Sequence, residues 1–283
     1  MTAVRQTGKG VFEIMTVKKL IFFTNPNKPN AGELMVKLAA CARDHGIEAI
    51  ETSGHEALDA IIAENADAFA VVTLGGDGTI LRAVNSASRC GIPVLGVNMG
   101  RIGFFSEIGA DEFELALDKL TAGDYRFECP AMLSCFVNGE KQGDCLNEFS
   151  VHRQELASIT QLRLVIDGDE VGTVMADGLI VSTPSGSTAY TMSAGGPVVA
   201  PRLECLLVTP ICPHSLTVRP IVAAADSVIT AAIECTCRLS GDGQNIRILE
   251  PGDEVVFRRS ERTAKFIRFG DRNVFRLIRE KLK

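Results

Sequence analysis

The chain has 283 residues, 46% of them hydrophobic and 23% charged, which suits a globular protein with a real core and room for two ordinary domains or one large one. Its net charge of −6 excludes a general binder of nucleic acid or of an anionic membrane surface, since both need a basic face. Aromatic residues are only 6%, with no Trp and two Tyr, so a base-stacking platform is not expected either.

The stretch up to about Met15 shows no clear pattern and reads as a ragged extension. Lys19–Thr24 is then a buried strand, closed by the turn-forming loop Asn25-Pro26-Asn27-Lys28-Pro29-Asn30. Ala31–His45 carries Leu34, Leu38, Ala39 and Ala42 at helical spacing and stops at Gly46. Ile47–Thr52 reads as a strand and Ala57–Asn65 as a helix. The apolar run from Ala68 to Leu74 is a further strand, and Ile92–Val97 another, with a helix over Glu112–Leu120. Strands alternating with helices predict a parallel sheet covered on both faces, with ligands at the carboxyl ends of its strands.

At one such end stands Gly75-Gly76-Asp77-Gly78-Thr79, followed by a helical pattern from Ile80. Three glycines in four residues let the backbone come close to a ligand, and a helix N-terminus presents N–H groups and a positive dipole end to an anion. Thr79 is placed as the N-cap. Asp77 adds a negative charge to a phosphate cradle, where the turn itself has no need of a carboxylate. Two tasks suit it: holding a metal that bridges phosphates, or taking a proton from a hydroxyl that attacks phosphorus. Asn98–Phe105 is a second glycine-spaced loop on the same rim.

After about Gly123 the texture changes to short strand-like runs: Phe127–Val137, Asp144–Arg153, Gln161–Asp167, Val171–Met175 and Gly178–Ser182, then Ser227–Ile233, Ile246–Leu249 and Glu254–Arg258. Asn138-Gly139 and Asp167-Gly168 are hairpin signals, and Asp242-Gly243-Gln244 is a further turn candidate. This is an all-β domain, a sandwich or similar layered sheet. The tail from Asp271 is helical, with Val274, Phe275, Leu277, Ile278 and Leu282 as its apolar face. The boundaries so drawn are 1–122 for the α/β domain and 123–269 for the β domain, with the last helix at 270–283.

Nine cysteines contain no C-x-x-C pair, and an odd count without a signal peptide points to a reducing cytoplasm. Cys235-Thr236-Cys237 alternates as in a strand, which puts both thiols on one face as small core hydrophobes. No window reaches membrane-spanning length without a charge or breaker.

The β region also holds Asp177-Gly-Leu-Ile-Val-Ser-Thr-Pro-Ser-Gly-Ser-Thr-Ala-Tyr190, in which Ser182, Thr183, Ser185, Ser187 and Thr188 place five hydroxyls within seven positions. Such a loop can bond base edges or phosphate oxygens. Asn147-Glu148 follows a strand-like run and suits a ribose diol, since the amide both donates and accepts while the carboxylate accepts.

Together these strings resemble the NAD kinase family, which carries a Gly-Gly-Asp-Gly-Thr turn, an Asn-Glu pair and a Thr-Pro-Thr-Gly-Ser-Thr-Ala-Tyr segment in this order. Here they stand at Gly75–Thr79, Asn147–Glu148 and Thr183–Tyr190. The glycine turn is shared with diacylglycerol, sphingosine and phosphofructo-kinases, so the hydroxyl-rich segment narrows the choice. Ser185 replaces the family's commoner Thr, and Met175 stands where relatives often carry a long polar residue. The resemblance implies an α/β domain plus a β domain with the last helix returning to the first. It implies a phosphotransferase that phosphorylates the adenosine 2′-hydroxyl of NAD to give NADP, with ATP or polyphosphate and a divalent metal, Mg²⁺ by expectation; no metal ligand is assigned. Asp77 would be the base; Asn147 and Glu148 would grip the adenosine part, with Gly78 and Phe104 beside it. Ser185, Thr188 and Ala189 would line the adenine pocket. Asp177 and Tyr190 would face the nicotinamide half, completed by a neighbouring subunit of a dimer or tetramer. Gly75, Gly76 and Thr79 would serve the donor phosphates, and Asp242, Gln244 and Arg82 are weaker candidates. No lysine is identified for the phosphates. The other classes are a lipid or sugar kinase, which would lack the Asp177–Tyr190 segment, and a non-catalytic NAD(P) sensor, which could dispense with Asp77.

Overall fold

The computed structural model describes residues 3–6, 12–100, 103–155, 159–215, 217–270 and 274–281. It divides into two compact units, Met1–Cys129 with Ala264–Lys283, and Pro130–Thr263. In the first unit the chain forms an antiparallel hairpin of β1 (Ala3–Gln6) and β2 (Phe12–Met15), where the sequence suggested a featureless extension. There follow β3 (Lys19–Thr24), α1 (Ala31–Asp44), β4 (Glu48–Ser53), α2 (His55–Glu64), β5 (Ala70–Leu74), α3 (Asp77–Ser88), β6 (Val94–Asn98), β7 (Ile108–Gly109), α4 (Phe113–Ala122) and β8 (Arg126–Glu128).

The second unit contains β9 (Ala131–Val137), β10 (Glu140–Cys145), β11 (Glu148–Arg153), β12 (Thr160–Ile166), β13 (Asp169–Ala176), β14 (Gly178–Ser182), α5 (Tyr190–Ser193), β15 (Cys205–Ile211), β16 (Ile221–Ala224), β17 (Ile229–Ile233), β18 (Cys237–Gly241), β19 (Gln244–Leu249) and β20 (Glu254–Thr263). Last come β21 (Phe266–Arg268) and α6 (Val274–Lys281), which belong to the first unit.

The sheet of the first unit runs β4-β3-β5-β6-β21-β8, with β7 beside β6. Its first four strands are parallel, as alternating strands and helices require. β3 and β5 are buried almost throughout, which is why they read as unbroken apolar runs. The chain leaves β3 toward β4 on one flank and leaves β5 toward β6 on the other. The carboxyl ends of β3 and β5 therefore form the topological switch point, where sheets of this kind hold ligands. Leu20, Phe22, Leu38, Val72, Leu95, Phe113 and Ile267 belong to one core around this sheet.

The second unit is a sandwich of two six-stranded sheets, β10-β9-β20-β17-β12-β13 and β16-β15-β14-β11-β18-β19, whose neighbouring strands are antiparallel. Leu133, Phe149, Leu162, Leu179, Leu239 and Phe257 fill the core between them. Asn138-Gly139, Asp167-Gly168 and Asp242-Gly243 all have positive φ at both positions, the mirror-image turn that matches strand twist.

Two of the runs read as single strands are split. Phe127–Val137 breaks at Pro130, which has no N–H to give a ladder, so β8 and β9 lie in different sheets. Asp144–Arg153 breaks at Leu146-Asn147, where the chain passes from β10 in one sheet to β11 in the other. β15, wholly buried, escaped the reading because a two-sided buried strand shows no alternation. On α6, Phe275 is 62% exposed rather than part of the apolar face, while Leu277 and Ile278 are half-buried. Leu282 and the Val274 side chain lie outside the described residues. Among the described residues no helix is long and apolar enough to cross a membrane.

Candidate active site

At the switch point, α3 begins at Asp77, three residues before the sequence pattern suggested, and its N-cap is Gly76 rather than Thr79. Thr79 is the third helical residue and is buried; its N–H turns back to the Gly76 carbonyl at 2.9 Å. Among the described residues no acceptor meets the N–H of Gly76 or Gly78, so these amides and the helix dipole present positive potential at the sheet rim.

The Asp77 carboxylate has a structural task that the sequence reading denied it. Its two oxygens accept the N–H groups of Phe104 at 2.9 Å and Phe105 at 3.0 Å, tying the loop after β6 to the start of α3. Gly103 is the condition for this. A Cβ there would lie 2.2 Å from the nearer Asp77 oxygen, so no other residue fits without moving the carboxylate. The second glycine loop is thereby the partner of the first; its Arg101 and Ile102 lie outside the described residues.

Lys28 was missed. It sits in the loop after β3, and its Nζ comes within 3.5 Å of where a Cβ on Gly76 would stand. Nothing in its neighbourhood in the sequence marks it; only the adjacency of β3 and β5 brings it to the glycine turn. Arg82 is exposed further along α3.

In the second unit the sequence motifs converge on the crossing between the two sheets. The Asp242 carboxylate, at the β18–β19 turn, accepts the N–H groups of Leu146 and Asn147, both at 2.9 Å, and of Glu148 at 3.3 Å. Asp242 is thus both a hairpin residue and the anchor of the Asn147–Glu148 segment. From the other side Thr183 donates its hydroxyl to the Leu146 carbonyl at 2.6 Å and its N–H to the Asn147 carbonyl at 2.9 Å. Gly186 packs so close that a Cβ there would stand 2.4 Å from the Asn147 carbonyl oxygen.

Held in this way, Asn147 and Glu148 are buried, and Asn147 Oδ1 and Glu148 Oε2 have no hydrogen-bond partner among the described residues. The Glu148 carboxylate does accept the Tyr190 N–H. Burial, and secondly the Asp242 charge, push Glu148 up to about 8, so near neutrality it carries a proton to donate as well as an oxygen to accept. Burial also raises Asp242, to about 6, against the pull of its three amide donors.

The hydroxyl-rich segment is used differently from the expectation. Ser182 accepts from Thr191, Thr183 bonds Leu146, Ser187 donates to the Val199 carbonyl, and Thr188 reaches the Ser185 carbonyl at 3.4 Å. Four of the five hydroxyls are therefore spent on holding the loop, and among the described residues only Ser185, half-buried, has none of these internal bonds. Asp177 pairs with Arg153 at 2.8 Å, and the exposed Tyr190 ring stacks on His152 with centroids 5.6 Å apart. Ala189 is half-buried beside them, while Gln244 is exposed at the start of β19. No group of three or more His, Cys, Asp or Glu able to hold a metal occurs among the described residues.

Comparison with known proteins shows the family. A family model described as the ATP-NAD kinase N-terminal domain matches residues 15–125, and one described as the ATP-NAD kinase C-terminal domain matches residues 146–269. The NAD kinase of Magnetococcus marinus is 42% identical over 219 residues, 75% of this chain and 72% of that protein. That of Acidobacterium capsulatum is 34% identical over 281 residues, 94% and 99% of the two chains. The crystal structure of an NAD kinase from Archaeoglobus fulgidus in complex with ATP superposes with a TM-score of 0.76 at 28% identity, covering 93% and 98%. Yeast NADH kinase complexed with NADH gives 0.85 at 24% identity over 99% and 93%, a likeness of fold.

Proposed function

The chain belongs to the NAD kinase family and is an NAD kinase enzyme, and we propose that it transfers a phosphoryl group from ATP to the adenosine 2′-hydroxyl of NAD, giving NADP. The observation that carries the ribose assignment is the pair of buried side-chain oxygens without partners among the described residues, Asn147 Oδ1 and Glu148 Oε2, on adjacent residues; the 2′ position is what the family resemblance implies. A buried acceptor left unbonded costs roughly 1–3 kcal/mol. A vicinal diol can donate one O–H to Asn147 Oδ1 and accept the Glu148 proton at its other oxygen, whose own hydrogen is then left for a base; this is the chemistry of a ribose.

Phosphoryl transfer asks a protein mainly for positioning and charge stabilisation. The amides of Gly76 and Gly78, the α3 dipole and the Lys28 ammonium supply positive potential for the donor phosphates, with Gly75 and Thr79 shaping the turn. Because these groups address phosphate and not a base, a polyphosphate donor would meet the same contacts. Asp77 takes the proton of the attacking hydroxyl; its bonds to Phe104 and Phe105 fix its orientation in advance. A divalent cation, Mg²⁺ by expectation, would come with the donor and would supply charge neutralisation at its phosphates, since Mg²⁺ typically binds through substrate phosphates with one or two carboxylates. Ser185, Thr188 and Ala189 line the adenine, and Asp177 and Tyr190 serve the nicotinamide half.

Exposed Tyr190, Val198, Leu203 and Val222 support association into a dimer or tetramer. A fully active monomer on dilution would set that part aside. The defining test is purified protein with NAD and MgATP, the product resolved by phosphorus NMR. Phosphate on the 3′-oxygen, or no product, overturns the proposal.

A further inference from the structure

We propose that Cys235 and Cys237 form a reversible dithiol–disulfide pair, oxidised by exchange with a low-molecular-weight disulfide such as glutathione disulfide. Their sulfurs lie 3.7 Å apart, and no other two thiols meet among the described residues. Cys237 opens β18 in the core, while Cys235 is not in a strand, as its alternation suggested, but at a half-buried bend just before it. A bend can bring the sulfurs to the bonded distance of about 2 Å by side-chain rotation and local adjustment. The two positions therefore have different accessibility, one for entry and one for closure.

In the first step the Cys235 thiolate attacks one sulfur of glutathione disulfide. The oxidant's S–S bond breaks, and one glutathione leaves as thiolate and takes up the proton. In the second step Cys237 gives up its proton and attacks the Cys235 sulfur, forming the Cys235–Cys237 bond and releasing the second glutathione. Two electrons pass to the oxidant, and two protein thiols become one disulfide. Burial pushes the Cys237 thiol up to about 12, which makes it a poor first attacker; in the second step the mixed disulfide held beside it offsets its small thiolate fraction.

Closure removes two S–H donors from the fold. Cys235 gives its proton to the Ile159 carbonyl at 3.5 Å, and Cys237 gives its own to the Cys235 carbonyl at 3.2 Å; Cys235 also accepts the Gln161 N–H at 3.3 Å. These contacts flank Thr160, whose hydroxyl donates to the Asp177 carbonyl at 3.3 Å. In the same sheet Cys237 stands opposite Arg153, the ion-pair partner of Asp177. If Asp177 contacts NAD, as proposed above, oxidation shifts the apparent KM for NAD and leaves that for ATP in place.

Cleavage after Glu234 and Glu254 (the Glu250–Pro251 bond resists a Glu-specific protease) releases a peptide that contains Cys235 and Cys237 and no other cysteine. The full chain is incubated with glutathione disulfide, its remaining thiols are blocked, and this peptide is weighed. The expected peptide is unblocked and two hydrogens lighter than the dithiol, and dithiothreitol restores it. The C237S variant should instead carry glutathione on Cys235. A peptide blocked at both thiols, while exposed Cys90, Cys129 and Cys212 have reacted, overturns the pair. So does glutathione on Cys235 beside a blocked Cys237 in the unaltered chain. The kinetic arm is separate: a several-fold rise in KM for NAD on oxidation, absent in the C235S/C237S double variant, supports the link to Asp177. A disulfide that leaves KM unmoved removes that link and keeps the redox pair.

Discussion

The α/β unit and the β unit present functional carboxyl groups in opposite conditions. Asp77 has both oxygens engaged by backbone amides before any substrate arrives. Asn147 and Glu148 are held just as firmly through their backbones, by Asp242 and Thr183, yet each carries a buried side-chain oxygen with no partner among the described residues. The difference separates chemistry from recognition. A reacting group gains from being oriented in advance, because no reorganisation is then left for the moment of reaction. A recognition group gains from being incomplete, because the correct ligand relieves a cost that a wrong one leaves standing.

The widest break in this contrast comes from Asp77→Asn. Turnover should fall by roughly 10²–10⁴, the usual worth of a positioned proton acceptor, while NAD binding persists. Because the amide turns an NH₂ toward one of the two loop N–H groups, the melting temperature should fall as well, and binding must be measured below it. Turnover within about threefold of the parent enzyme would remove Asp77 from the chemistry and leave it as the clasp of the Phe104–Phe105 loop.

The next largest effect should be reciprocal between the units. Asn147→Ala deletes an acceptor kept for the ribose and should raise KM for NAD roughly 10- to 100-fold with little change for ATP, as the loss of a buried hydrogen bond predicts. Lys28→Ala removes a cation near the glycine turn and should do the reverse, raising KM for ATP by about tenfold. Steady-state kinetics with each substrate varied decides it. Both variants moving the same constant would mean that the division of labour is drawn wrongly.

How much of this was legible in the chain itself follows from where the causes lie. Gly75–Thr79, Asn147–Glu148 and Thr183–Tyr190 are contiguous, so their chemistry could be read directly. Lys28 could not, because its role depends on β3 and β5 being neighbours in space, and Lys28 and Gly76 stand 48 residues apart in the chain, a separation that leaves no local trace. The hydroxyls of Thr183 and Ser187 looked like ligand groups because composition does not tell which way a side chain points. In the fold both turn inward to carbonyls. The Asp144–Arg153 run hid a change of sheet because no Gly or Pro stands within it to mark a break at Leu146-Asn147. That change of sheet is what exposes the Asn147–Glu148 backbone to Asp242.

The raised carboxyl of Glu148 gives the comparison a thermodynamic form. Its ordinary value is 4.5 and its folded value about 8, so between these the folded chain keeps a proton that the unfolded chain releases. Stability without nucleotide should accordingly be fully present at and below pH 4.5 as far as Glu148 is concerned and be lost as the pH rises to about 8. Asp242, raised from 3.8 to about 6, adds to the decline in the lower part of that range. Glu148→Gln fixes the neutral form and should flatten the profile of Tm against pH, at roughly 2–4 °C for each kcal/mol. A variant with the same slope as the parent would mean that Glu148 is ionised in the fold.

The smallest effects come from within one loop, where two neighbouring hydroxyls should behave like the two units in miniature. Thr183 is buried, donates to Leu146 at 2.6 Å and accepts the Gly186 N–H at 3.3 Å, so Thr183→Val leaves a carbonyl without its donor. The expected cost is about 1–3 kcal/mol of stability, seen as a lower Tm, with KM for NAD changed only through loosening of the loop. Ser185 is half-buried and makes no such bond, so Ser185→Ala should leave stability within about 0.5 kcal/mol. Its hydroxyl is proposed to meet the adenine, and one neutral hydrogen bond is worth roughly 0.5–1.5 kcal/mol, so KM for NAD should rise about two- to tenfold. The two variants, melted and assayed side by side, should exchange signatures: one loses Tm and the other loses affinity. Should Ser185→Ala melt early and bind NAD normally, the hydroxyl belongs to the scaffold, and the adenine contact passes to the backbone of the Ser185–Ala189 turn.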